Sequence, residues 1–128
     1  MHRYLPLALL ALPMVAFSST GYAQEEQVVN SEEVLLRSAR NAVALGNLED
    51  AATRYEDLLR QYPRSTEGLN EYAGILVQER RLLEAVTQYE ALIRVDANST
   101  QARISLANIY MEMKELGYAA EQLEKALD

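Results

Sequence analysis

Cysteine and tryptophan are absent from the 128 residues, and the only histidine is His2. Without cysteine there are no disulfides, no thiolate metal sites and no cysteine nucleophile. His2 lies in a segment read below as a leader, so the mature chain would also lack imidazole, the commonest general base and a frequent transition-metal ligand. The acidic side chains are spread along helix surfaces, where solvation is their ordinary role. These absences point away from an enzyme, and no catalytic residue, metal or cofactor is implied. Basic clusters are missing too. Twelve Lys and Arg stand against 19 Asp and Glu, a net charge of −7, and Arg80-Arg81 is the one adjacent Lys/Arg pair. Nucleic acid and anionic lipid surfaces call for such clusters, so no nucleic-acid partner is expected.

Long apolar runs are scarce as well. One exists, Leu5 to Phe17, with 13 residues broken by Pro6 and Pro13. Arg3, His2 and the amino terminus form a positive start before it. Ser18 to Ala23 follows as a small, polar stretch, with Gly21 and Ala23 at small-x-small spacing. This three-part pattern is that of a secretory signal peptide over 1–23, cleaved after Ala23 to leave Gln24 first. A retained membrane anchor is the rival reading, but a spanning helix needs about 20 apolar residues. The expected product is an exported protein, most simply periplasmic in a bacterium, with no direct membrane insertion after cleavage. Its net charge would be −8, from 11 basic and 19 acidic residues.

What is present is repetition. Leu48-Glu49-Asp50-Ala51-Ala52-Thr53-Arg54-Tyr55 returns as Leu82 to Tyr89 and again as Leu116 to Leu123, both at a step of 34 residues. Ala51, Ala85 and Ala119 keep that step, as do Ala39, Ala73 and Ala107 upstream. A short polar tail over 24–31 precedes the first copy. Leu35, Leu36, Ala39, Ala42 and Val43 then recur at helical spacing, Gly46-Asn47 breaks the helix, and Leu48 to Gln61 forms a second one. Tyr62-Pro63 ends it, because a residue before proline leaves the helical region. Ser65 or Thr66 opens the next pair, in which Gly68 and Gly74 each weaken the helix by roughly 1 kcal/mol against alanine. Arg80-Arg81 takes the turn before Leu82 to Val95, and Asp96 to Ser99 caps a third pair with its turn at Lys114-Glu115. Small alanines let paired helices approach closely, while Tyr55 and Tyr89 fill the space between successive pairs.

This spacing resembles the tetratricopeptide repeat family, whose pattern runs W-x2-L-G-x2-Y, then A-x3-F, then P. The first copy supplies Leu35, Ser38, Ala39, Ala42, Ala51, Tyr55 and Pro63. The second supplies Leu69, Tyr72, Ala73, Leu76, Ala85 and Tyr89, with Ala97 where proline is usual. The third supplies Leu106, Ala107, Tyr110, Ala119 and Leu123, with Arg103 as its departure. The resemblance implies an all-α superhelical solenoid of three helix-turn-helix repeats over 32–65, 66–99 and 100–128, without strands. It also implies a concave groove lined by the first helix of each pair, taking a peptide or helix from a protein partner. The groove residues would be Glu33, Leu36, Arg40 and Val43; Glu67, Asn70, Gly74 and Val77; and Gln101, Ile104, Asn108 and Met111. Leu36, Val43 and Val77 have a second reading as plain core residues. Some members clamp a terminal carboxylate with Lys, Asn and Arg. Here only Arg40 and Asn108 suit that role and Gly74 interrupts it, so no clamp is carried over. On the last helix Ala120, Leu123 and Leu127 share one face, expected to dock a second copy or a neighbour. The leading expectation is an adaptor that holds an envelope assembly, secretion or maturation complex together; the alternatives are a self-associating structural protein (a homodimer, for instance) and a chaperone for an exported subunit.

Overall fold

The computed structural model describes residues 31–128. The leader and most of the polar tail, 1–30, lie outside the described residues. The chain divides into two units, Met1–Val34 and Leu35–Asp128, and the stacked helix pairs belong to the second. Among the described residues there are six helices and no strand: α1 over 31–44, α2 Leu48–Gln61, α3 Thr66–Gln78, α4 Leu82–Val95, α5 Thr100–Glu112 and α6 Leu116–Leu127. From α2 onward each helix packs on the next in chain order, the one-dimensional stacking of a solenoid. None of the described helices is long and apolar enough to cross a membrane.

The turn inside each pair is built the same way three times. The amides of Gly46, Arg80 and Lys114 donate to the carbonyls of Val43, Val77 and Met111 at 2.9, 3.0 and 3.0 Å. The next amides, of Asn47, Arg81 and Glu115, reach back to Ala42, Leu76 and Tyr110 at 3.0, 2.8 and 2.8 Å. This paired closure satisfies the last carbonyls of the helix and requires a left-handed residue just past its end. Gly46, Arg80 and Lys114 take that conformation, with φ of 76°, 64° and 62°. Only the first is glycine, and a side chain there costs about 1–2 kcal/mol. Lys114 makes no ion pair among the described residues, so Lys114→Gly should remove that cost without losing a contact. The expected result is a gain of roughly 0.5–1 kcal/mol, because glycine's larger unfolded entropy offsets part of the relief. A urea midpoint that stays level or falls would show that the turn stores no such strain.

Turns between pairs use a different device. Tyr62 and Asp96 leave the helix at φ −127° and −132°, so the second turn forms with Ala97 in the place of Pro63. Ser65 and Ser99 then accept from the amides of Gly68 and Ala102 at 3.1 and 3.3 Å. Such caps satisfy amides that have no partner in the first helical turn.

Alanines mark where the helices touch. Ala39, Ala51, Ala73, Ala85 and Ala107 are wholly buried and Ala119 nearly so. Tyr55, Leu58, Leu76 and Leu106 are the largest fully buried side chains. The two glycines of α3 differ in kind. A Cβ on Gly68 would lie 2.6 Å from Leu58 Cδ2, so the fully buried Leu58 side chain would have to shift, whereas a Cβ on Gly74 would meet nothing within 4 Å. Gly68 is thus a contact point between α2 and α3 rather than only a weak helix former.

Candidate functional site

The seam between the first two pairs is a reciprocal one. Tyr55 of α2 and Tyr72 of α3 stack with ring centroids 6.1 Å apart. Each phenol donates across the seam: Tyr55 Oη to Glu71 Oε2 at 2.8 Å, and Tyr72 Oη to Glu56 Oε1 at 2.7 Å. Burial first, and then the bonded carboxylates, push both phenols well above their ordinary value. Glu71 also receives Arg40 of α1, with Nε 3.0 and 3.1 Å from its two oxygens and Nη2 at 2.5 Å. Arg40 Nη2 reaches Glu67 Oε2 at 2.6 Å as well. These bonds, Glu71 before Glu67, hold the guanidinium firmly protonated. Side chains of Arg40, Glu67 and Glu71 are 44%, 66% and 28% exposed, so the pairs orient the groups more than they stabilise the fold.

Beside this network an open cleft of about 280 Å³ runs between α1 and α3. Tyr55 and Ile75, both buried, form its floor; Val43, Gly74, Gln78, Arg40 and Glu71 complete its lining. Of the expected groove residues, the cleft brings together Arg40, Val43 and Gly74. Leu36 is corrected: it is 5% exposed in the core cluster and offers no surface to a partner. Val77 is half-buried and packs against the core, outside the cleft. Asn70 and Asn108 are exposed, and Ile104 and Met111 keep 36% and 45% of their surface, but none of the four lines the cleft. Ala120, Leu123 and Leu127 are exposed on α6. Sequence reasoning did not place Tyr55, Glu71, Ile75 or Gln78 at a site. Arg40 and Glu71 are 31 residues apart, one repeat less about one helical turn, and the pair Arg80–Glu112 at 2.6 Å is similarly spaced. Opposite charges at that separation are the signal that marks both pairs.

At the second seam Tyr110 Oη donates to Glu90 Oε1 at 3.2 Å, and burial is the first cause pushing its phenol up to about 12. Among the described residues no group of three His, Cys, Asp or Glu side chains is placed to hold a metal ion.

Stacked helix hairpins with a cleft across their first helices define an α-solenoid built from helix-turn-helix repeats. The tetratricopeptide repeat family matches the sequence over residues 36–94 and again over 75–128. The chain belongs to that family. Curated proteins gave no significant match. Among solved structures, a crystal structure of the MamA protein is similar at TM-score 0.71 and 17% identity, over 75% of this chain and 52% of that one. The TPR2B domain of yeast Sti1, in its pHsp70 complex, is similar at 0.67 and 22%, over 74% and 76%. The translocator chaperone SycD of Yersinia enterocolitica type III secretion is similar at 0.69 and 18%, over 77% and 73%. The chain spans about half the length of the MamA structure, and at these identities the likeness is one of fold.

Proposed function

We propose that this chain is a non-catalytic adaptor of the bacterial envelope, exported by its leader, that holds an assembly, secretion or maturation complex together by receiving a peptide or helix of a protein partner. The open cleft between α1 and α3 carries the reading, because an apolar concavity with a few polar groups is what a binding site requires. Membership of an interaction-repeat family supports it, as do similar folds that engage pHsp70 or act as a translocator chaperone. The absence of cysteine, and of histidine beyond His2, supports a role without chemistry. Leu116, Leu123 and Leu127, which are 68%, 38% and 87% exposed on α6, favour a second reading in which two copies associate through that face.

One cross-linking experiment tests both. A photoreactive residue in place of exposed Asn70 should trap an envelope protein, while one in place of Arg60 on α2 should not. The trapped chain should begin Gln24-Glu25-Glu26. Equal yields from the two positions would move the contact surface elsewhere, and an intact Met1 would replace export with anchoring. Self-linking from Leu127 alone would favour the second reading.

A further inference from the structure

The adaptor reading leaves open what the cleft selects, and its charges and shape bear on that. Its floor and one wall are Tyr55, Ile75 and Val43, and the missing side chain of Gly74 keeps it open. At about 280 Å³ it falls at the small end of ligand pockets, which suits one side chain rather than a cofactor. Its only cation, Arg40, is already committed. Two of its three nitrogens are bonded to Glu71 and Glu67, so one positive charge meets two negative ones. Glu67, the more exposed of the two, gives Arg40 only Oε2; Oε1 has no bond among the described residues. The Arg40–Glu71–Glu67 network, whose Arg40 and Glu71 line the cleft, is therefore net negative and has an acceptor to spare at Glu67, on a chain that is itself at −7.

We propose that this cleft receives one branched or unbranched apolar side chain of an extended peptide whose adjacent residue is lysine or arginine, the cation lying on Glu67. A peptide with a carboxylate at that place, whether Asp, Glu or a chain terminus, is disfavoured. This inference rests on the adaptor reading, with α1 and α3 as the receiving helices. Charge complementarity of this kind acts mainly on selectivity and is weakened by salt.

The test uses fluorescein-labelled nonapeptides, acetylated and amidated, in three pools with Lys-Leu, Glu-Leu or Lys-Ala fixed at the centre and Ala, Ser or Gln elsewhere. The Lys-Leu pool should bind the mature protein about tenfold more tightly than either other pool, a step of about 1.4 kcal/mol. Gly74→Leu should lower Lys-Leu affinity by a similar factor, because it fills the cleft. Its helical content and unfolding midpoint should hold or rise, since a Cβ there meets nothing and leucine is the better helix former. Glu67→Gln should erase the preference of Lys-Leu over Glu-Leu without touching that over Lys-Ala. Binding that ignores the central pair, or survives Gly74→Leu, overturns the inference while leaving the adaptor reading standing. No binding by any pool, with the Asn70 cross-link still formed, also overturns it. Loss of both overturns the two together.

Discussion

Truncating Tyr55 to alanine should cost about 3–5 kcal/mol, the range for emptying a large aromatic from a core. Tyr55 is 1% exposed, stacks on Tyr72 and donates to Glu71. Against a total stability of roughly 5–15 kcal/mol for a domain, that is a large share of the whole. Tyr55→Phe keeps the ring and loses one hydrogen bond, a cost of about 1 kcal/mol. Urea unfolding of the two separates packing from bonding. Equal losses would mean that the bond to Glu71, rather than the buried ring, holds this seam. The same phenols give the fold an alkaline limit. Tyr55 and Tyr72 hold their protons more tightly folded than unfolded, with an ordinary value of 10.0. Their contribution is complete below that pH and is lost as pH rises above it, Tyr110 following toward about 12.

Ala85→Leu is expected to be the next most damaging change. Ala85 has no exposed surface where α4 meets α3, and added methylenes in a filled interior cost typically 1–3 kcal/mol. The test is the unfolding midpoint, which should fall at unchanged slope. An unchanged midpoint would show that α3 and α4 do not touch at this alanine.

The alanine register was readable because a step of 34 residues repeats one steric demand at Ala39, Ala73, Ala107 and again at Ala51, Ala85, Ala119. Helix limits such as Leu48–Gln61 and Leu82–Val95 followed from turn residues and proline. The cleft was less legible. Its lining depends on how α1 lies against α3, which sequence periodicity within one helix does not encode; hence Arg40 was found and Glu71, Ile75 and Gln78 were not. Leu36 shares its repeat position with exposed Asn70 and Ile104, yet it is buried. Gly68 reads as a weak point in a helix until the approach of Leu58 is seen. Arg80 and Lys114 hide a left-handed turn, because the residue type that normally announces one is present only at Gly46.

The stripe on α6 has a consequence for growth. Leu116, Ala120, Leu123 and Leu127 stand at the places held by Leu48, Ala52, Tyr55, Leu59 and by Leu82, Val86, Tyr89, Ile93, the faces on which α3 and α5 sit. A helix that settles on such a face brings a large apolar residue and an isoleucine, as α3 does with Tyr72 and Ile75 and α5 with Leu106 and Ile109. The corresponding residues of α1 are Ser38 and Asn41. One copy's α1 is therefore a poor match for another's α6, since it would set a serine and an asparagine against leucines. The array therefore has a direction: the face that α6 presents suits a helix with apolar residues at the two places where α1 carries Ser38 and Asn41.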